Sequence, residues 1–430
     1  MHKMVTTETE MARQTQTAPF HGWRVVSAAF ILAVFGWGLG FYGPPVYLHA
    51  VRDATGWPLA LVSTAVTVHF LIGAIGVAGL PALHRRFGVT AITKAGALAL
   101  GLGVYGWAVA TQPWQLFAAL VLSGVGWAAT GAAAINAIVS PWFVRRRPAA
   151  LAMAYNGASV GGIVFSPLWV AAIGVLGFPA AAAAIGAVMA LTVWVLADLL
   201  FARGPQQMGQ APDGDAWRRP HVLADGAAGP TPPSAAQLWR NPRILTLAAA
   251  MALGLFAQIG LIAHLFSLLV PAFGTQLAGV AMGAATAAAI AGRTLVGALM
   301  PAGADRRLVA ATSYAVQIAG SIAFILAAGT SMPLLIAGVV LFGAGIGNAT
   351  SLPPLIAQVE FAEEDVPRVV ALIVAISQGA YAFAPAAFGL IQEFAPRLPG
   401  VQDGAAPCLF ATAALVQALA MAALVAGRRT

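Results

Sequence analysis

Residues 244–270 read ILTLAAAMALGLFAQIGLIAHLFSLLV, an apolar run of 27 positions without a single Asp, Glu, Lys or Arg. At about 1.5 Å of rise per residue, a helix of this length crosses the roughly 30 Å hydrocarbon core of a bilayer with modest tilt. A segment in lipid has to satisfy every backbone N–H and C=O group internally, and a helix does this. The run therefore predicts a membrane-spanning helix.

Eleven further apolar runs of spanning length occur along the chain. In chain order the twelve runs are 23–49, 58–83, 91–110, 114–139, 149–174, 179–201, 244–270, 277–300, 309–328, 333–359, 369–391 and 407–426. The sequence therefore predicts an all-α polytopic membrane protein with twelve transmembrane helices, embedded in the lipid bilayer.

The composition excludes an ordinary soluble protein. Charged residues make up 8% and hydrophobic residues 60% of the 430 positions, and the mean hydropathy is +0.84. The net charge of +8 is scattered between apolar runs, so no nucleic acid is expected as a partner. The single cysteine, Cys408, permits neither an internal disulfide nor a cysteine-based metal site, and no cofactor is expected.

The positive charges predict the orientation of the chain. All but three of the 22 Lys and Arg residues fall on the side of the two termini; Arg52 and Arg397 lie on the opposite side, and Arg293 lies inside a span. The positive-inside rule then places both termini in the cytoplasm, and we expect a bacterial inner membrane. The first apolar run is too long for a signal peptide, so no cleavable signal is expected.

An internal repeat divides the chain into two halves. Residues 203–243, rich in Pro, Gly, Asp and Arg, predict a flexible cytoplasmic linker. Six spans lie on each side, and at an offset of 218 residues Ser159, Gly161 and Pro167 recur as Ser377, Gly379 and Pro385. Parallel repeats of six helices around a central site are typical of transporters. We predict a cytoplasmic tail at 1–21, six-helix bundles at 22–202 and 244–427 on either side of the linker, and a cytoplasmic C-terminus at 428–430.

Three short motifs are shared with a known family. They are Gly22-Trp23-Arg24 before the first span, Trp142-Phe143 with Arg145-Arg146-Arg147 before the fifth, and Gly292-Arg293 followed by Gly297 and Asp305-Arg306 around the eighth. On these motifs and on its whole length, the chain resembles the major facilitator superfamily, and within it the branch of monocarboxylate transporters and oxalate:formate antiporters. The resemblance implies the major facilitator fold, two pseudo-symmetric bundles and transport by alternating access.

The sequence departs from this family at positions tied to gating and proton coupling. The superfamily's Asp-Arg-x-Gly loop reads Arg85-Arg86-Phe87-Gly88 here, although Asp305 keeps the acidic residue in the second half. The branch pairs its eighth-span Arg with an Asp four residues earlier, where Ala289 stands, and its first-span Lys is absent. The proton-coupling scheme of the branch therefore cannot be transferred to this chain.

Arg293 is the strongest candidate for a substrate-binding residue. It lies 12 residues before Asp305, so about 18 Å of helix separates it from the loop and its side chain cannot easily reach water there. No carboxylate lies in the interior of any span, and a guanidinium binds a carboxylate through two parallel hydrogen bonds. We expect Arg293 to bind an anionic substrate; the alternative is that it binds backbone carbonyl groups between helices.

Two histidines inside spans are further candidates. His69 lies in the middle of the second span and, at a repeat offset of 220 residues, is the partner of position 289, so we consider it a candidate for proton coupling. His264, in the seventh span, resembles a histidine often found there in the branch and is a candidate for substrate binding. For both residues the alternative is a neutral imidazole that only joins neighbouring helices.

Other polar residues at span centres complete the predicted substrate site. Each either orients a ligand or joins helices by a hydrogen bond. The predicted substrate-binding residues besides Arg293 and His264 are Tyr42, Asn156, Gln378 and Tyr381. Three further polar residues also lie at the centres of their spans, namely Asn136, Gln258 and Asn348.

The loop motifs predict a cytoplasmic gate. The loops between spans two and three, four and five, and eight and nine have to meet when the cytoplasmic side closes. From the family resemblance we expect the gate to consist of Arg85, Arg86, Arg145, Arg146, Arg147, Asp305 and Arg306.

Three functions remain open at this point. The first is a secondary transporter, acting as a monomer, for a small organic anion such as a monocarboxylate, coupled to protons or to a counter-anion. The second is an efflux transporter for neutral or anionic drugs or metabolites. Cationic drugs are not expected, because their binding would need acidic residues inside the spans. The third is an intramembrane hydrolase with Ser159 beside His69 or His264. Neither lysine lies in a phosphate-binding loop, so no ATP-driven step is expected. Of the three functions, transport is the one we expect, and we do not expect an enzyme.

Overall fold

The computed structural model describes residues 20–214, 240–301, 303–362, 365–397 and 405–428, and these residues form helices without a strand. The helices are α1 (Gly22–Gly40), α2 (Pro44–Thr55), α3 (Leu59–Phe87), α4 (Val89–Val109), α5 (Pro113–Thr130), α6 (Ala132–Val139), α7 (Arg147–Leu176), α8 (Phe178–Leu196), α9 (Pro242–Leu299), α10 (Arg306–Ala327), α11 (Met332–Ile346), α12 (Asn348–Glu360), α13 (Val366–Ala382), α14 (Ala384–Phe394) and α15 (Ala406–Ala426).

Twelve spans result from these helices. Eleven helical segments of the described chain are long and apolar enough to cross a membrane, and one of them, α9, is 58 residues long. Gly274 interrupts α9 with φ 71° and ψ 168°, a backbone conformation that residues other than glycine rarely adopt. The helix α9 therefore comprises span 7 (242–273) and span 8 (275–299). The predicted twelve-span, all-α fold class is thus confirmed.

Four spans break near their middle, where the sequence pattern predicts continuous helices. Span 1 consists of α1 and α2, span 4 of α5 and α6, span 10 of α11 and α12, and span 11 of α13 and α14. Pro44 and Pro385 lie in the first turn of the second helix of spans 1 and 11, where a missing N–H group costs nothing. Gly131 and Gly347 separate the two helices of spans 4 and 10.

The spans pack as two groups of six. The N-terminal bundle holds together through contacts such as α1 with α7 and α4 with α5, and the C-terminal bundle through α10 with α11 and α15. An even number of spans places Phe20 and Arg428 on the same side of the membrane. We call this side the terminal face and the other side the opposite face.

Among the described residues, hydrogen bonds join the two bundles at three places in the half toward the opposite face. The Ala60 N–H donates to Glu393 Oε2 at 2.7 Å, and the Ala386 N–H donates to Thr67 Oγ1 at 3.0 Å. Ser267 Oγ lies 3.4 Å from His49 Nδ1. We call these contacts the seam, and they close the molecule toward the opposite face.

The first part of the predicted linker differs from the flexible segment that we expected. The Asp213 carboxylate accepts hydrogen bonds from the backbone N–H groups of Val144, Arg145 and Arg146 at 2.8–3.2 Å, just before α7 begins. Gln210 accepts a hydrogen bond from the His21 N–H. Residues 203–214 therefore pack against the N-terminal bundle, and residues 215–239 of the predicted linker lie outside the described residues.

The environment of Asp213 favours its ionised form. Burial by itself raises the pKa of this carboxyl, but the three amide donors and the nearby Arg145 charge outweigh burial and lower its pKa below the ordinary value. A lowered folded-state pKa means that Asp213 stabilises the attachment at neutral pH and loses this effect only as the pH falls through that lowered value.

The seam predicts how Glu393 affects closure. Glu393→Gln keeps an oxygen that accepts the Ala60 N–H but loses the negative charge that favours the amino end of α3. We expect a cysteine at Ser63, in a Cys408→Ser background, to react about two- to fivefold faster with a membrane-impermeant thiol reagent applied from the opposite face.

Asp198→Asn is the matched control, because it removes a carboxylate that pairs with Lys94 inside the N-terminal bundle. The labelling rate should not change in this control. An unchanged rate in Glu393→Gln as well would show that the Glu393 charge does not hold the seam closed.

Candidate functional site

A cavity of about 410 Å³ lies between the two bundles, on the terminal-face side of the seam. Three of the four span breaks adjoin it, because Phe41, Ala132 and Ile346 all line the cavity next to a break. Backbone outside a regular helix is tolerated at membrane depth where it lines a cavity inside the protein. The breaks therefore mark the centre of the molecule as the candidate site.

Arg293 supplies the charge of this cavity. Among the described residues that line it, Arg293 is the one charged residue, and none is Asp, Glu or His. Its Nε–H donates to the carbonyl oxygen of Gly347 at 2.9 Å. Within the described chain no hydrogen bond is made by Nη1 or Nη2, so two nitrogens remain able to bind an anion.

Tyr42 and Thr286 lie beside Gly162 in the lining of the cavity. A Cβ atom at Gly162 would lie 2.6 Å from Tyr42 Cζ and 2.7 Å from Thr286 Cγ2, so only glycine lets these two side chains meet there. Both side chains line the cavity. The three residues bring spans 1, 5 and 8 together at the cavity.

The structure brings together two of the six predicted substrate-binding residues, Arg293 and Tyr42. Asn156 follows the cavity-lining Tyr155 by one residue, and the 100° turn of a helix leaves its side chain exposed on another face. Gln378 is half-buried and does not line the cavity. Tyr381 packs instead against Phe70, with ring centroids 6.1 Å apart.

His264 also faces away from the cavity. Its Nε2 bonds the Pro385 carbonyl oxygen at 3.0 Å, and the side chain is fully buried. The neighbouring Leu265 lines the cavity in its place. In this conformation His264 joins span 7 to span 11, as in the alternative that the sequence left open.

His69 is buried inside the N-terminal bundle. Its Nδ1 lies 2.9 Å from Ser123 Oγ, and its Nε2 lies 2.9 Å from the Gly40 carbonyl oxygen. Gly40 ends α1 and directly precedes Phe41 and Tyr42, which line the cavity. The His69 side chain therefore does not line the cavity, and it is connected to the site only through the backbone of Gly40.

Sequence reasoning missed several cavity residues. Trp37, Phe41, Tyr155 and Thr286 line the cavity, but we had predicted none of them. A usable signal existed for two, since Trp37 and Phe41 are four residues apart and share one helix face. Gln258, which we had noted as polar at a span centre, also lines the cavity, and its Oε1 is buried without a partner in the described chain.

In the described chain, Ser159 is hydrogen-bonded to neither His69 nor His264, because each imidazole binds other groups. Ser159 lines the cavity, whereas His69 bonds Ser123 and Gly40, and His264 bonds Pro385. Among the described residues, no hydrogen bond joins Ser159 to an imidazole. The arrangement that a hydrolase would need is therefore not present in this conformation.

The predicted gate residues lie near the terminal face and belong to separate clusters. Arg85, Arg86, Arg145, Arg146 and Arg147 are exposed in the N-terminal bundle. In the C-terminal bundle, Asp305 caps α10 by accepting from the Arg307 and Leu308 N–H groups, and Arg306 donates to the Leu355 carbonyl oxygen. The gate stays a prediction for the conformation in which the terminal face closes.

Asp305 is held by an ion pair within its own bundle. The Arg428 guanidinium donates to Asp305 Oδ2 at 2.5 Å. Burial alone raises the pKa of Asp305, but the Arg428 hydrogen bond and the two capping N–H groups lower it below the ordinary value. Asp305 is therefore ionised at neutral pH.

A second ion pair near the terminal face was not predicted. The buried Arg307 guanidinium binds Glu360 through two hydrogen bonds of 2.6 and 2.7 Å. It also donates to Thr246 Oγ1 and to the Arg243 carbonyl oxygen. Together these hydrogen bonds of Arg307 join α9, α10 and α12. The pair holds three helices of the C-terminal bundle together.

Twelve spans in two bundles around a central cavity define a polytopic membrane protein. The particular family follows from its sequence: a model of the Major Facilitator Superfamily matches residues 16–385, and the chain belongs to this superfamily. The family resemblance predicted from the motifs is therefore confirmed, and the protein is an integral membrane protein of this superfamily.

Relatives within the superfamily match part of the chain. It is 30% identical to monocarboxylate transporter 13 of Bos taurus over 150 residues, which cover 34% of each protein. It is also 30% identical to monocarboxylate transporter 11 of Homo sapiens over 171 residues, or 38% of this chain and 35% of the relative. The matched region thus spans about a third of the length of these relatives.

Solved structures match the fold over nearly the whole chain. A bacterial homologue of the human lysosomal transporter Spinster, in an inward-facing and occupied conformation, matches with a TM-score of 0.70 at 14% identity, covering 96% of this chain and 98% of its own. The nucleoside transporter NupG matches with a TM-score of 0.67 at 13% identity, covering 94% and 99%. At these identities the likeness concerns the fold alone.

The Asp305 cluster leads to a prediction about the gate. Asp305→Asn can still cap α10, because Asn is also a good capping residue, but it loses the negative charge. If the gate forms as predicted, this variant should favour the conformation described here. A cysteine at Ser159, in a Cys408→Ser background, should then react faster with a thiol reagent applied from the terminal face.

Arg428→Gln is the matched control, since it breaks the same ion pair but keeps the acidic gate residue. The reactivity of the Ser159 cysteine should rise in Asp305→Asn and stay near the parent value in Arg428→Gln. Equal reactivity in all three proteins would remove Asp305 from the gate.

Proposed function

We propose that this transporter moves a small organic anion by alternating access and that Arg293 binds the anion. The observation that carries the proposal is a single guanidinium whose Nη groups make no hydrogen bond within the described chain, in a cavity whose described lining has no carboxylate. A charge at membrane depth without a counter-charge is costly, and an anionic ligand removes this cost. The names of the partial relatives, both monocarboxylate transporters, support this substrate class.

The Gly347 bond fixes how Arg293 presents its nitrogens. The Nε–H is used by the Gly347 carbonyl, so the end of the guanidinium that carries Nη1 and Nη2 remains for the ligand. Two parallel N–H donors match the two oxygens of a carboxylate. Gly347 lies at the break between α11 and α12, so bending of span 10 would move the anchor of Arg293.

We further propose that the terminal face is cytoplasmic. The excess of Lys and Arg on that side supports this orientation. The seam then closes the outer side, and the cavity described here belongs to the inward-facing state. Acidic lining residues, which would favour cationic drugs, are not found among the described residues of the cavity.

Proton coupling through His69 is part of the proposal. A neutral imidazole that donates to Gly40 accepts at Nδ1 from the Ser123 hydroxyl, whereas an imidazolium donates at both nitrogens. Protonation would therefore force the Ser123 hydroxyl to turn and would strengthen the hold on Gly40 at the end of α1. This path links a proton on His69 to the position of Phe41 and Tyr42.

Arg293 gives the first test of this function. Arg293→Ala should weaken binding of a transported anion by about 2 to 5 kcal/mol, or roughly 30- to 4,000-fold. Arg293→Lys keeps the charge but cannot bind Gly347 and also offer two parallel donors, so we expect intermediate affinity. Uptake of radiolabelled anions into proteoliposomes and equilibrium binding to the purified protein measure both effects.

Arg203→Ala is the matched control, because Arg203 is exposed near the terminal face and its loss removes a positive charge outside the cavity. It should transport like the parent protein. Parent-like transport of an anion by Arg293→Ala would contradict the proposed substrate site.

His69 gives the test of coupling. His69→Gln can hydrogen-bond but cannot bind a proton, so exchange of the anion should continue while accumulation driven by a pH gradient stops. Ser123→Ala removes the Nδ1 partner without removing the titratable group and should retain pH-driven accumulation, with an altered pH profile. Full pH-driven accumulation in His69→Gln would exclude His69 as the proton carrier.

A further inference from the structure

The two bundles give the cavity two chemically different walls. The N-terminal bundle contributes Trp37, Phe41, Tyr42 and Tyr155, and every aromatic side chain among the described lining residues comes from this bundle. The C-terminal bundle contributes Arg293, which carries the charge. A ligand between the bundles therefore meets rings on one side and a guanidinium on the other.

The rings of the aromatic wall are held in place by contacts within the protein. The Trp37 ring lies edge-to-face on Trp127, with centroids 4.9 Å apart and planes at 79°. Phe41 and Tyr42 make a similar contact at 5.0 Å and 80°. The Tyr155 hydroxyl donates to the Ala132 carbonyl oxygen at 3.0 Å. A ligand ring would thus meet preorganised partners, which lowers the entropy cost of binding.

The charge of the cavity limits the ligand to a single carboxylate. Arg293 is the one charged lining residue of the described chain, and one guanidinium neutralises one carboxylate. A second carboxylate in the same cavity would be buried without a partner, which is strongly unfavourable. Dicarboxylates are therefore disfavoured.

The size of the cavity favours a ligand larger than a two- or three-carbon acid. Its volume of about 410 Å³ lies within the range of roughly 300–1,000 Å³ that is typical of sites for drug-sized ligands. A short aliphatic acid would contact Arg293 and leave the aromatic wall uncovered. A ring joined to a carboxylate contacts both walls at once.

We propose that the preferred substrate is an aromatic monocarboxylate, with its carboxylate on Arg293 and its ring on the wall formed by Trp37, Phe41, Tyr42 and Tyr155. This inference rests on the anion site proposed above and adds the chemical class of the substrate body. Selectivity arises because a planar ring stacks on the aromatic wall, whereas an aliphatic ring of the same size gains only apolar contact.

Benzoate and cyclohexanecarboxylate are a matched pair of probes for the ring. Their affinities are measured by titration calorimetry on the purified full chain, and both are used as competitors of benzoate uptake in proteoliposomes. We expect benzoate to bind about two- to tenfold more tightly, which is the range expected from an aromatic contact beyond area burial. Terephthalate, with a second carboxylate, and benzamide, without charge, should compete at least tenfold less well.

Variants of the wall separate the ring contact from the charge. Trp37→Leu should remove most of the preference for benzoate over cyclohexanecarboxylate, while Trp37→Phe keeps a ring and should retain it. Trp114→Leu is the control, because Trp114 is an exposed tryptophan outside the cavity. Parent-like affinity of Trp37→Leu for cyclohexanecarboxylate would show that a loss of the benzoate preference is not due to misfolding.

The outcomes distinguish this inference from the proposed function. Equal affinities for benzoate and cyclohexanecarboxylate, or no binding of benzoate, would overturn the aromatic preference. If Arg293→Ala still abolished anion transport in that case, the anion site would stand. Tight binding of terephthalate would overturn the limit to one carboxylate. Binding of benzamide as tight as that of benzoate, unaffected by Arg293→Ala, would overturn the anion site itself.

Discussion

Each span has to satisfy its backbone hydrogen bonds without water, and the other features of the structure follow from this constraint. Regular helices meet it along most of the chain, so irregular backbone is restricted to places that the protein itself covers. The breaks at 41–43, Gly131 and Gly347 adjoin the cavity, where neighbouring helices surround the freed groups. The same breaks point Phe41, Ala132 and Ile346 at the cavity. The constraint of the bilayer therefore also shapes the site.

The Arg293–Gly347 hydrogen bond shows how such a break becomes functional. A guanidinium in a cavity whose described lining has no carboxylate needs an acceptor, and the backbone carbonyl between α11 and α12 provides one for Nε–H. This contact unites the two interpretations that the sequence left open, because Arg293 binds a backbone carbonyl and still offers two nitrogens to a ligand. Span 10 and the proposed anion site are thus joined through one hydrogen bond.

The two bundles differ in chemistry although their sequences repeat. The seam uses polar groups from both halves, such as Glu393 with the Ala60 N–H and Thr67 with the Ala386 N–H. The cavity instead has its rings on the N-terminal side and its charge on the C-terminal side. The duplicated fold gives the two bundles a similar architecture, whereas the chemistry of the candidate site depends on the positions at which the repeats have diverged.

The sequence by itself determined the helical class, the number of spans and the family, and it singled out Arg293, which the structure places in the cavity. These features depend on hydropathy, on short motifs and on the rarity of charge at membrane depth, all of which are local properties of the chain. The Gly274 turn hides a boundary inside α9, yet the two apolar runs on either side of it were still recognised as separate spans.

Only the tertiary structure decided which side chains meet. Tyr155 lines the cavity and Asn156 does not, although one residue separates them, because the direction of a side chain depends on the rotation of its helix against its neighbours. In the same way His69 and His264 look alike in the sequence as polar residues at span centres, but their partners, Gly40 with Ser123 and Pro385, lie on other helices. Hydropathy records how deep a residue lies in the membrane, whereas the packing of twelve helices sets what it faces.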